Sequence, residues 1–274
     1  MNKILWSPDE VRINSSAMTK FQQFCGVNGR YAELHHFSVE KPEEFWSRLW
    51  DYCGVIGLKG TQILSRGAEM PGAQFFPESK INFAENLLRY NDDQLALVSY
   101  LENGSRKTLT YRQLREKVEA LASWMQSEGV VAGDRVAALL PNIPETVVTM
   151  LAASSLGATF SSCSPDFGAN GVLDRFGQIS PKILVACTGY FYGGKTFDIS
   201  DRVKSIIDAV SSVEKVLIVD LIETGGIGLS IETEFNEACA SPRGNFRFYS
   251  QSFNHPLYIM YSSGTTGSPK CIVH

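Results

Sequence analysis

Residues 262–270, Ser262-Ser263-Gly264-Thr265-Thr266-Gly267-Ser268-Pro269-Lys270, are of the types that hold an anion. Gly264 and Gly267 let backbone amides approach closely, the hydroxyls of Ser262, Ser263, Thr265 and Thr266 donate to non-bridging oxygens, and Lys270 adds a mobile positive charge. The β-prone apolar run 255–261 delivers the chain into this stretch, and Cys271-Ile272-Val273-His274 leads out of it. The composition is that of a polyphosphate cradle, the alternative being a plain flexible turn after a strand. It is not a Walker A loop, because Pro269 stands where a Gly must precede the Lys. A competitor lies upstream. Gly189-Tyr190-Phe191-Tyr192-Gly193-Gly194-Lys195-Thr196 satisfies G-x-x-x-x-G-K-[ST], and residues 216–220 offer an apolar strand ending in Asp220 that would hold Mg²⁺ in a P-loop NTPase. Against it stand a bulky aromatic loop interior, a fresh helix start at residues 197–200 and a gap of about 20 residues between the two pieces.

The elements that must position these loops follow from periodicity. From about residue 95 strands and helices alternate. Residues 95–101 and 107–111 flank an Asn103-Gly104 hairpin signal. Thr110 and Gln113 form a capping box for a helix with Leu114, Val118, Leu121, Ala122 and Met125 on one stripe, stopped by Gly129. Residues 135–140, 158–163, 182–187 and 215–219 read as strands; 143–156, 171–179 and about 200–210 read as helices, the second of them with Val172, Phe176 and Ile179 inward. Such alternation predicts an α/β fold, a parallel sheet flanked by helices. The stretch before about residue 90 is helical and aromatic-rich. Ser7-Pro8-Asp9-Glu10 predicts a capped start at Pro8, residues 42–53 a second helix ended by Gly54, and the Gly- and Pro-broken residues 54–80 mostly loop.

Composition narrows the function classes. With 274 residues, 44% hydrophobic and 20% charged, the chain is an ordinary globular one of one large domain or two smaller ones, and disorder, collagen and coiled coil are excluded. Its 25 basic and 29 acidic residues supply no long-range attraction to nucleic acid or an anionic membrane, so an anionic ligand must be held locally. The amino-terminal stretch, broken by Pro8 and two acids, lacks a signal-peptide hydrophobic region, and the longest mostly apolar stretch, residues 147–160, is short of the roughly 20 residues a membrane helix needs. Both point to a cytoplasmic protein. Six scattered cysteines and four histidines offer no metal constellation, and the adjacent His35 and His36 read as surface groups.

The run Tyr261-Ser262-Ser263-Gly264-Thr265-Thr266-Gly267-Ser268-Pro269-Lys270 resembles the phosphate-binding motif of the adenylate-forming acyl-CoA synthetases. Phe75-Phe76-Pro77 leading into Asn82-Phe83-Ala84-Glu85-Asn86-Leu87-Leu88 is similar to their acetoacetyl-CoA synthetase branch, as is Ser162-Cys163-Ser164-Pro165-Asp166-Phe167-Gly168 running into residues 172–179. Departures are small: Phe75 stands where Trp is usual and Glu78 where Gly is common. The Tyr190-Phe191-Tyr192 loop with Gly194 and Lys195 recurs in that branch as an ordinary element, which counts against the P-loop reading.

The resemblance implies an acid–thiol ligase that joins acetoacetate to coenzyme A through an acyl-adenylate, with ATP, Mg²⁺ and CoA as cofactor and co-substrates, small-molecule partners, and neither nucleic acid nor membrane. It implies nucleotide-phosphate contacts at Ser263, Gly264, Thr265, Thr266, Gly267 and Lys270, with Ser262 and Tyr261 as weaker candidates. It further implies that residues 1–90 are the helical amino-terminal segment and 91–274 a truncated AMP-binding domain, an incomplete part of the family's large amino-terminal domain. Family members continue well beyond this length and carry there the adenine and ribose contacts, the Thr-Glu pair serving Mg-ATP and the lysine used in adenylation. The expectation is family identity without stand-alone catalysis, an unpaired sheet edge and marginal solubility; a non-catalytic nucleotide-binding or interaction remnant is the other reading.

Overall fold

The computed structural model describes residues 5–242, 244, 246–262 and 267–274. The chain divides into two compact units, Met1–Ile81 and Asn82–His274.

The first unit holds α1 (Glu10–Ser15), α2 (Ala17–Phe24), α3 (Tyr31–Glu40) and α4 (Pro42–Cys53), then four two-residue strands, β1 (Gly57–Leu58), β2 (Leu64–Ser65), β3 (Gln74–Phe75) and β4 (Lys80–Ile81). The first helix does not start at Pro8 under a Ser7 cap. Asp9 is the cap, its carboxylate accepting from the Arg12 amide at 2.8 Å, and Pro8 lies before the helix. Residues 54–80 are mostly loop, as expected, with short antiparallel pairings of β1 with β4 and β2 with β3 that Gly and Pro punctuation hides because each strand is only two residues long. Phe21, Cys25 and Leu34 form the small core, with Phe37, Phe45, Leu49 and Tyr52 packed on it. The two departures from the family pattern are both satisfied. Trp46 meets Phe75 edge to face at 5.3 Å, and Glu78 accepts from the Thr61 amide and hydroxyl at 2.7 and 2.9 Å.

The second unit begins with α5 (Phe83–Leu87) and the hairpin β5 (Leu95–Tyr100) and β6 (Arg106–Thr110), followed by α6 (Tyr111–Ser127). Then come β7 (Arg135–Leu139), α7 (Pro144–Ser155), β8 (Thr159–Cys163), α8 (Ala169–Ile179) and β9 (Ile183–Cys187). A second hairpin, β10 (Gly189–Tyr192) and β11 (Lys195–Asp198), precedes α9 (Ser200–Ala209), β12 (Lys215–Val219), β13 (Glu232–Glu234), α10 (Phe235–Cys239), β14 (Tyr258–Tyr261) and β15 (Cys271–Val273). Seven strands form one sheet in the order β13-β12-β9-β7-β8-β14-β15. Every ladder is parallel except β14–β15.

The expected α/β architecture is therefore present, and the burial pattern explains it. All five residues of β9 and the last four of β7 and β12 are buried, as strands covered on both faces must be. Helices flank the sheet in two packed groups, α8 with α9, and α5, α6, α7 and α10 together. The Thr110–Gln113 capping box starts α6, and all five residues of its expected apolar stripe are buried. No helix among the described residues is long and apolar enough to cross a membrane.

Asn82 ties this unit together. Its side chain is fully buried, donates to the carbonyls of Ser154, Ser155 and Tyr249 at 3.1, 3.2 and 2.8 Å, and accepts from the Glu85 amide to cap α5. The conspicuous Asn82 of the sequence motif is thus a buried cross-link between the start of α5, the end of α7 and the approach to β14, sharing the Ser154 and Ser155 carbonyls with other donors.

Candidate active site

In open α/β sheets ligands bind beyond the carboxyl ends of the strands. The 262–270 stretch emerges there, from the carboxyl end of β14, which runs parallel to β8. Its base is closed by a hydrogen-bonded rung: the Ser262 amide donates to the Lys270 carbonyl and the Lys270 amide to the Ser262 hydroxyl, both at 3.0 Å. Beyond the rung, Tyr261 pairs with Cys271 in the β14–β15 ladder. Of the expected phosphate contacts, Ser262 is half-buried at the rung, and Gly267 is exposed at φ 116°, a left-handed conformation that suits glycine. Lys270 is exposed, and no carboxylate among the described residues pairs with it. Ser263, Gly264, Thr265 and Thr266 lie outside the described residues.

The wall of the site comes from β8 and α8. Ser161 Oγ lies 3.0 Å from the Ile259 carbonyl and 2.9 Å from the Tyr261 hydroxyl, fixing the last turn of chain before the loop. Burial pushes the Tyr261 phenol well above its usual range, a shift the Ser161 hydrogen bond only partly opposes, so it is a neutral hydroxyl. Cys163, at the end of β8, is pushed up to about 12 by burial against a smaller opposing pull from Arg175, and is an unreactive packing thiol. The Arg175 guanidinium lies 5.6 Å from the Tyr261 ring centroid and 4.6 Å from that of Phe167. Gln178 donates to the Pro269 carbonyl at 2.9 Å. Both α8 residues fall in the 172–179 run that carries the family resemblance, but nothing in that run points to a contact with the loop. The spacing shows only a shared face: Gly171, Arg175 and Gln178 recur at i, i+4 and i+7 beside the apolar stripe.

The P-loop alternative is overturned. Residues 189–196 are a β-hairpin, with Gly189 opposite Asp198 and Tyr192 opposite Lys195. Gly193 and Gly194, at φ 57° and 72°, make its two-residue turn, and the Tyr190 and Phe197 rings stack at 5.1 Å. Aromatic residues that favour strands pair here instead of opening a loop onto a helix, so no cradle forms and Lys195 begins an exposed strand. Asp220 is also committed elsewhere. It accepts from the Thr188 hydroxyl and from the amides of Thr224 and Gly225 at 3.0, 2.9 and 2.8 Å, which makes it the organiser of its own turn. Burial raises its pKa, but these hydrogen bonds outweigh that and hold it below its ordinary value. Among the described residues no group of three or more His, Cys, Asp or Glu forms a site for a metal ion. The chemistry the described arrangement supports is anion binding by backbone, hydroxyl and cation at the end of β14.

Comparison with known proteins agrees with this geometry. A family model described as AMP-binding enzyme matches residues 83–274, and one described as acetyl-coenzyme A synthetase N-terminus matches residues 31–87. The acetoacetyl-coenzyme A synthetase of Rhizobium meliloti (strain 1021) is 42% identical over 98% of this chain, and the acetoacetyl-CoA synthetase of Xenopus tropicalis is 37% identical over 99%. The structure of the acetoacetyl-CoA synthetase from Streptomyces lividans superposes with a TM-score of 0.92 at 36% identity, covering 99% of this chain. In each case the match takes in 43% of the other protein, so this chain spans less than half the length of the relatives it resembles. With its sheet, its loop placement and a family match over most of its residues all in accord, the chain belongs to the AMP-binding enzyme family.

Proposed function

We propose that this chain supplies the nucleotide-phosphate site of a cytoplasmic acetoacetate–CoA ligase. In that reaction the acetoacetate carboxylate attacks the α-phosphorus of ATP, releasing pyrophosphate and leaving an acyl-adenylate; the CoA thiol then displaces AMP to give the thioester. The observation that carries the reading is the loop of Gly, Ser, Thr and Lys at the carboxyl end of β14, closed by the 262–270 rung and bordered by Arg175. Departing pyrophosphate carries concentrated negative charge, and donors already in place stabilise it without reorganising. In this reading Ser262, Ser263, Gly264, Thr265, Thr266, Gly267 and Lys270 contact the nucleotide phosphates, Mg²⁺ arrives bound to ATP, and CoA enters as co-substrate. The three relatives compared above carry the name acetoacetyl-CoA synthetase, which supports the choice of acyl group.

Two measurements test this. Mg-ATP should raise the melting temperature of the chain, as any ligand bound only by the folded state does. Acetoacetate-dependent pyrophosphate release by the 274-residue chain alone should stay at background, because catalysis draws on groups beyond the part of the family it spans. No melting shift at saturating Mg-ATP would remove the nucleotide reading, and substantial turnover by the chain alone would overturn its dependence on further groups.

A further inference from the structure

Helix α8 touches the phosphate loop on both sides. On the entry side the Arg175 guanidinium lies 5.6 Å from the ring of Tyr261, the residue before the loop. On the exit side Gln178 Nε2 donates to the carbonyl of Pro269, the residue before Lys270. One helical turn therefore grips both stems, on either side of the Ser262–Lys270 rung. These contacts are not needed to dock the helix. Val172, Phe176 and Ile179 already bury its apolar face, Gln178 is exposed, and a hydrogen bond from an exposed side chain contributes little to stability. Arg175 is half-buried, donates to the Gly171 carbonyl at 2.6 Å, and pairs with no carboxylate among the described residues, so its charge is not neutralised there.

We propose that α8 is a two-point clamp on the loop, with Arg175 and Gln178 as positioning residues that hold its stems at the separation an anion requires. The inference rests on reading residues 262–270 as the nucleotide-phosphate loop. A segment of Gly, Ser and Thr loses much conformational freedom when it wraps a phosphate, and stems fixed beforehand reduce that loss at the moment of binding. The planar guanidinium suits the task because it lies against the Tyr261 and Phe167 rings and still has N–H groups to spare.

The test is calorimetric titration of the chain with Mg-ATP, alongside melting without nucleotide. Arg175→Met and Gln178→Met should each weaken Mg-ATP binding on the order of tenfold while leaving the nucleotide-free melting temperature unchanged. Arg175→Lys, which keeps a cation but not its planar stack, should recover part of the loss. The double variant should lose less than the product of the two, since either breach frees the loop. Unchanged affinity in both single variants, with the parent chain binding normally, overturns the clamp alone. Weaker binding with a matching fall in nucleotide-free melting temperature overturns it in favour of fold stability. Failure of the parent chain to bind Mg-ATP removes the nucleotide reading and the clamp together.

Discussion

Two lysines close glycine-containing motifs in this sequence, and their surroundings assign them different work. Lys270 closes a Gly/Ser/Thr loop at the end of a sheet strand, whereas Lys195 follows the tight turn of an exposed hairpin. Lys270→Ala should therefore reduce or abolish the Mg-ATP melting shift, and Lys195→Ala should leave it intact; the reverse pattern would restore the P-loop alternative. Asn82→Ala should destabilise the chain by about 2–3 kcal/mol, because it removes a buried amide that bonds three carbonyls and a helix cap at once, and urea denaturation would measure it. Asp220 sets an acid limit. Its carboxylate is held below the ordinary 3.8 by the hydrogen bonds of its turn, so the stability it contributes is full above that value and drains away as pH falls below it. Asp220→Asn should flatten the acid end of the melting-temperature profile, and an unchanged profile would assign the acid sensitivity to other carboxylates.

Among the elements, the clearest in the sequence were those whose signals agreed with one another. The Thr110 capping box, the α6 stripe and the Asn103-Gly104 turn each had a local cause, and each is where that cause places it. The inward face of α8 was equally legible, and Phe176→Ala should cost about 3–5 kcal/mol in denaturant unfolding, since its ring is fully buried against the sheet. What escaped was either too short to carry a period, such as β13 and the two-residue strands of the first unit, or decided by partners distant in sequence, such as the grip of Arg175 and Gln178 on the loop. The hairpin at 189–198 misled for a different reason: glycine and lysine spacing satisfied a loop motif while the aromatic residues between them obeyed strand pairing.

At the scale of the whole molecule, the sheet ends on β15, where Ile272 and Val273 are exposed at 44% and 58% beside an equally open Met260. An apolar outer strand with free backbone groups recruits further strands. Ile272→Lys should reduce concentration-dependent self-association in sedimentation velocity without altering the helical content seen by circular dichroism; self-association that persists unchanged would place the sticky surface elsewhere. The same corner of the sheet also has a history in time. Strands β7, β8 and β9 are gathered by neighbouring stretches of chain, but β14 must find β8 across a separation of 98 residues between Ile259 and Ser161. Distant pairings form late, after the entropy of closing the intervening loop has been met. In pulse-labelled hydrogen exchange the Ile259 amide should gain protection after that of Val185 in β9. The corner that carries the proposed phosphate loop is then the last to assemble during refolding, and under the proposed function nucleotide binding would signal that the molecule has finished folding.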